Sequence, residues 1–384
     1  MGAYYINPMS NIKLLVLDIF INKFIYSIVI TLLVAFFALM ACNVNSDSFE
    51  KQETTSFFTN GTIENNRIEL CNNNYLALDT VREMIGCNND YTGKNITVAI
   101  IDSGVYPHDN LMKPRNRIIA FKDFVNNYTE PYDDNGHGTA MAGIIAGNGF
   151  ISDGRHKGIA PECNIVAIKV LDSNGFASVK NIASAIDWVC ENKDAYNISI
   201  INISIGVDYN DKDYIKLEPA IDKATDIGLL IIASVGNSIG EPKRIYLPAA
   251  FANVLAVGSI EDLHVKKCNE YKIAYFSSYW EDANNTAKPD IVAPGNFILS
   301  LQSIISYSPA RDDCLVYDTS YALSFGTSNS AAIVSGVAAL LWEEYPDENA
   351  VYIKDLILDL CVQLNEKKIS QGDGFLYLGS HCEG

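Results

Sequence analysis

Positive charge is scarce in this chain of 384 residues: 28 Lys+Arg stand against 46 Asp+Glu, a formal charge of −18. No Lys/Arg-rich run occurs anywhere, which argues against nucleic acid as a partner, because a phosphate backbone needs a basic patch. There is no C-x-x-C pair and no His/Cys cluster at metal-ligand spacing among the nine Cys and five His, which argues against a structural zinc site. Internal repeats and low-complexity blocks are also absent. With 48% apolar and 19% charged residues, the composition is that of a folded protein rather than a disordered one.

Long apolar runs are equally rare, and the prominent one lies at the start. Residues Ile25 to Ala41 carry no charge and follow Lys13 and Lys23. At roughly seventeen residues the run is short for a membrane span and long for the core of a signal peptide. It ends at Leu39-Met40-Ala41-Cys42 and gives way to a polar stretch. That ending resembles the lipobox of bacterial lipoproteins, which implies that Cys42 is lipidated and becomes the mature N-terminus, although Met40 stands where a small residue is more usual. An uncleaved signal anchor and a secreted form are the alternatives. All three place the remainder outside the cytoplasm, anchored to the membrane or secreted. Met9 offers a second candidate start, since the stretch before Lys13 is long for an n-region. The expected organisation is a targeting segment 1–42, a polar spacer 43–74 and a catalytic domain 75–384. Without Cys42 the cysteine count is even, which is compatible with disulfides, but their pairing is not readable from spacing; most are expected to be buried thiols.

From about Tyr91, short Val/Ile/Ala runs alternate with helical stretches, the pattern of an α/β fold with a mostly parallel sheet between helices. Strands are predicted at Ile96–Ile101, Asn164–Val170, Ile198–Ile205, Leu229–Ser234 and Val254–Gly258. Helices are predicted at His137–Ala146, Val179–Glu191, Leu217–Asp226, Ser328–Trp342 and Asn349–Cys361.

Three motifs carry chemistry. Asp102 ends a buried strand in Val98-Ala99-Ile100-Ile101-Asp102-Ser103-Gly104, where open α/β sheets place functional groups. On its own such an Asp often only caps the next turn. His137 sits between glycines in Asn135-Gly136-His137-Gly138-Thr139, which allows close backbone approach. Ser328 opens an apolar helix in Gly326-Thr327-Ser328-Asn329, where unpaired N–H groups favour a developing oxyanion; the plain alternative is a helix cap. Asp, then His, then Ser is a known chain order for a Ser-His-Asp triad. Ala233-Ser234-Val235-Gly236-Asn237 adds an amide just past a buried strand.

On these motifs, together with Gly158-Ile159-Ala160-Pro161, Ile201-Asn202-Ile203-Ser204-Ile205-Gly206, Val254-Leu255-Ala256-Val257-Gly258 and Pro289-Asp290-Ile291-Val292-Ala293-Pro294-Gly295, the chain resembles the subtilisin-like serine proteases over roughly Tyr75 to Leu378. The resemblance implies a three-layer subtilisin-like fold. Ser328 would be the nucleophile, His137 the general base and then acid, Asp102 the carboxylate orienting it, and Asn237 the side-chain donor of the oxyanion hole. Ser204, Ile205 and Gly206, with Ser234, Val235 and Gly236, would flank the side chain next to the scissile bond and pair with an extended, flexible peptide.

Departures from the family pattern are Asn329, Ser330 and Ala332, of which Asn329 is placed to touch Ser328 or the leaving-group side. His108 is read as structural, and His156, His264 and His381 as surface or structural. No cofactor is expected for catalysis. Structural calcium is plausible in this family, and Asp133-Asp134-Asn135 offers oxygen ligands but adjoins His137, so no metal ligand is assigned. In Gly240-Glu241-Pro242-Lys243-Arg244, Glu241 is a candidate for selecting a basic substrate residue, or a solvated loop carboxylate. Roughly thirty residues between Cys42 and Cys71 are too few for a folding-assistant domain, and a tether is the expected role. The expected protein is a monomeric serine endopeptidase acting through an acyl-enzyme on an exported precursor peptide at the cell surface. Tethering and compactness resemble the leader-processing proteases of lantibiotic-type peptide systems. A general extracellular scavenging protease and a silent protease-like binding or signalling protein are the alternatives.

Overall fold

The computed structural model describes residues 75–239, 244–261, 268–281, 287–303, 314–316 and 319–379. The apolar run Ile25 to Ala41, Cys42, the polar spacer, Glu241, His264 and His381 lie outside the described residues. No described helix is long and apolar enough to cross a membrane.

The core is one sheet of strands β1 Thr97–Asp102, β2 Ile118–Asp123, β3 Asn164–Lys169, β4 Ile198–Ile203, β5 Leu230–Ser234, β6 Leu255–Glu261, β7 Ile291–Pro294, β8 Cys361–Val362 and β9 Phe375–Leu376. Their order across the sheet is β8-β9-β7-β6-β5-β4-β1-β3-β2. Pairings are parallel except for β8 against β9 and the short strand Lys272–Ile273 against β6. The near-continuous Val/Ile/Ala runs follow from burial of both sheet faces. Because side chains alternate along a strand, Val98 and Ile100 join one core, with Ile165, Ile200 and Ile232. Ala99 and Ile101 join the other, with Val166, Ile201 and Ile231.

Helices cover both faces. On the first lie α1 Leu78–Met84, α2 His137–Ala146, α5 Thr327–Glu344 and α6 Ala350–Asp359; on the second lie α3 Val179–Asn192 and α4 Asp211–Asp226. In α3 the buried residues Ile182, Ala185, Ile186 and Val189 recur at helical spacing and form one stripe against the sheet. Helix α5 is different. It has no charged residue before Glu343, and Asn329 through Trp342 are all buried, as befits a helix enclosed on every side.

Helix α4 begins six residues before the expected Leu217, because the Asn210 side chain caps it by accepting from Asp213 N–H. Pro219 lies within this helix on its exposed side. Strand β2 and the antiparallel sheet of Ile298–Leu301, Cys314–Val316 and Tyr321–Ser324 are additions to the predicted elements.

The expectation of buried thiols needs correction. Cys163 is a buried free thiol, but Cys87, Cys190 and Cys361 are only half-buried, and Cys268 is in a disulfide.

β1 is central. The chain places β2 and β3 on one side of it and then crosses to β4 on the other, so the strand order reverses at β1. The carboxyl ends of strands flanking such a reversal open a crevice, and Asp102, Ser204 and Ser234 all lie at that end.

Candidate active site

Asp102 closes β1 with no solvent exposure. One carboxylate oxygen accepts from the Ser103 N–H at 2.7 Å. His137 is the first residue of α2, and its Nδ1 lies 2.8 and 3.0 Å from the two Asp102 oxygens. This pairing depends on Gly138: a Cβ there would stand 2.0 Å from the Gly104 carbonyl oxygen, so only glycine lets α2 press onto the end of β1.

The loop before His137 is held by Asp133, fully buried. Asp133 accepts from Ser103 Oγ (2.8 Å), the N–H groups of Asn135 (3.0 Å), Gly136 (2.7 Å) and Thr139 (2.9 Å), and Thr139 Oγ (2.6 Å). Burial pushes its carboxyl pKa up while these donors push it back. Its neighbour Asp134 pairs with the fully buried Lys169, whose ammonium also donates to the carbonyls of Ser103 (2.9 Å) and Leu171 (2.8 Å). Asn135 accepts from the His137 N–H at 3.3 Å and donates to Ser173 O. The acidic loop that offered calcium ligands is thus engaged in shaping the His137 turn. Among the described residues no group of three or more His, Cys, Asp or Glu is gathered as for a metal ion.

Ser328 is the second residue of α5. Its hydroxyl donates to the Ser204 carbonyl at 2.7 Å, and the Ser204 hydroxyl donates back to the Ser328 carbonyl at 3.0 Å. No hydrogen bond joins Ser328 to His137. Behind Ser204, Asn202 Nδ2 donates to its Oγ at 2.9 Å, and Ser335 Oγ donates to Asn202 Oδ1 at 2.9 Å, so a buried polar chain ties the end of β4 to α5.

Asn237 is oriented by the residue before Ser328. Its Oδ1 accepts from the Thr327 N–H (3.0 Å) and the Thr327 hydroxyl (3.1 Å), while Thr327 Oγ accepts from the Gly236 N–H at 3.2 Å. With the oxygen so engaged, the exposed Asn237 Nδ2 makes no hydrogen bond to any described residue.

The Asn329 side chain makes no hydrogen bond to Ser328. Its side chain is buried and turned inward, donating to Gly295 O and Ser324 O and accepting from Ser324 Oγ. Ser330 likewise donates to Ala293 O and Pro294 O. His108 is buried and accepts from the Asn110 N–H at 3.1 Å, capping the short helix Asp109–Met112. His156 packs edge-on against Tyr321. Thr327, Ser103 and Asp133 were not singled out as positioning residues from the sequence; the signal available for each was its place next to a motif residue, which says nothing about side-chain direction.

Residues 93–375 match the model of the Subtilase family. The serine protease AprX of Bacillus subtilis is 35% identical over 282 residues, which cover 72% of this chain and 63% of AprX. Subtilisin DY of Bacillus licheniformis is 30% identical, covering 75% of this chain and 88% of its own length. Among solved structures, the S41 psychrophilic protease superposes with a TM-score of 0.65 at 28% identity, covering 78% of this chain and 97% of its own. The chain therefore belongs to the subtilase family, the subtilisin-like serine endopeptidases. It spans less than two thirds of the length of AprX.

Proposed function

We propose that this chain is a serine endopeptidase using Ser328, His137 and Asp102, with Asn237 and the Ser328 N–H as the oxyanion hole. The observation that carries the reading is the contact of His137 Nδ1 with both oxygens of the buried Asp102. It makes Nδ1 the protonated nitrogen and leaves Nε2 free as a base. Rotation of the Ser328 side chain away from Ser204 O brings its hydroxyl to that base. The serine oxygen then bonds to the scissile carbonyl carbon as its proton passes to Nε2. Negative charge gathers on the former carbonyl oxygen, where Nδ2 of Asn237 and the N-terminus of α5 donate to it. Collapse breaks the C–N bond, and His137 returns the proton to the departing amine. Water repeats the sequence in reverse on the acyl-enzyme.

A polypeptide substrate of extended conformation, no cofactor, a monomeric state and a site of action at the cell surface complete the reading. Cys42 is the lipidated residue, and trimming of an exported precursor is the role. The resting contact of Ser328 with Ser204 O favours one competing reading, a silent binding protein whose serine is never activated.

A fluorophosphonate probe applied to the full chain separates the two. Covalent labelling at Ser328, lost in Ser328→Ala, is expected. A folded protein that takes up no label sinks the protease reading. Growth with an alkyne fatty acid tests the anchor: label that persists in Cys42→Ser overturns lipidation at that residue.

A further inference from the structure

A cleft opens beside Ser328 between the segments that leave β4 and β5. One wall is Ser204–Gly206, tied to Ser328 by the paired serine hydrogen bonds. The other is Val235–Gly236, tied to the same helix through the Gly236 N–H and Thr327. Both walls are therefore anchored at the N-terminus of α5, and on the proposed mechanism the side chain of the residue whose carbonyl meets Ser328 would enter between them.

The gap is occupied. Tyr246 lies in a two-residue strand, Tyr246–Leu247, that pairs with Val207–Asp208 beyond the first wall. Its N–H bonds to Val235 O of the second wall at 3.2 Å, so its backbone bridges both. A Cβ placed on Gly206 would stand 2.8 Å from Tyr246 Cβ, and one placed on Gly236 only 1.9 Å from Tyr246 Cδ2. The ring thus lies flush against bare backbone, which glycine alone permits. At Gly236 the positive φ of 98° adds a second reason for glycine. Leu247, next along, is fully buried, so the strand has no room to sink.

We infer that Tyr246 is a specificity-determining residue that floors this cleft and restricts the substrate residue before the scissile bond to glycine, alanine or serine. The inference rests on Ser328 being the nucleophile. A shallow pocket rejects large side chains because they clash with a ring held between two backbone walls, whereas a small side chain fits above it. A basic preference set by Glu241 makes the opposite prediction, since a long arginine needs the depth Tyr246 removes.

The test uses the full chain with peptide p-nitroanilides differing only in that residue: alanine, phenylalanine or arginine. Wild type is expected to favour alanine over both others in kcat/KM by roughly tenfold or more. Tyr246→Gly is expected to raise the phenylalanine-to-alanine ratio by roughly tenfold, and Tyr246→Phe, which keeps the ring, to leave it near the wild-type value. Fluorophosphonate labelling of each variant reports a folded site. Labelled wild type that cleaves the phenylalanine or arginine substrate as well as the alanine one overturns the inference. So does a labelled Tyr246→Gly with an unchanged ratio. Absence of both label and cleavage in wild type overturns the protease reading, and this inference with it.

Discussion

Ser328 and Ser204 hold each other: each hydroxyl donates to the other residue's backbone carbonyl, at 2.7 and 3.0 Å. In the proposed mechanism only the first of these bonds must break for Ser328 to reach His137. The second, from the Ser204 side chain to the Ser328 carbonyl, holds the backbone of α5 at its start.

Ser204→Ala therefore leaves the resting acceptor of Ser328 in place but strands Asn202 Nδ2, while the Ser328 carbonyl keeps its bond within α5. Leaving such a buried group without a partner costs about 1–3 kcal/mol. The expected outcome is a lower denaturant midpoint at unchanged slope, with kcat reduced less than in any triad variant. Equilibrium unfolding in urea beside steady-state kinetics checks it.

Asn237→Ala removes the amide donor while also depriving Thr327 of its acceptor. Loss of one such donor in subtilisin, a relative rather than this protein, supplies the scale: roughly 10²–10³ in kcat. KM is expected to change little, because the donor acts on charge that develops after binding. A loss carried mainly by KM contradicts the assigned role.

Asp133→Asn turns an acceptor-only carboxylate into a group that presents N–H to donors already aimed at it. Stability is expected to fall by several kcal/mol, since charged hydrogen bonds are worth about 1.5–3 kcal/mol each. His137 loses its seat in the same step, so residual folded protein should show weak labelling by fluorophosphonate. Thermal unfolding monitored by circular dichroism reads the first effect.

Burial pushes the Cys163 thiol up to about 12. At pH 8 it is protonated and out of reach of alkylating reagents, so iodoacetamide is expected to spare it in the native protein and modify it after unfolding. Peptide mapping by mass spectrometry decides. Rapid native modification at Cys163 would contradict the packing around it.

The strands of the central sheet were legible because burial on both faces demands an unbroken apolar run, and few other contexts produce one. The predicted strand Ile198–Ile205 overruns the observed one by two residues, since Ile205 keeps the apolar alternation going after the ladder ends at Ile203. β2 leaves a weaker pattern because as an edge strand it carries Lys122 and Asp123 among apolar residues. Asp102 is legible from its place at the end of a buried apolar run, and His137 from the glycines on both sides of it, whose need for close approach leaves a mark in composition. Thr327 and Tyr246 leave no such mark. What each does depends on which neighbour its side chain meets, and only three-dimensional packing decides that.

Helix α5 carries Ser328 at its entrance and is buried from Asn329 to Trp342. A helix so enclosed has no position of its own before the layers around it close. On the proposed mechanism, the alignment of Ser328 therefore depends on closure of the whole apolar core around α5 and not on the local turn alone.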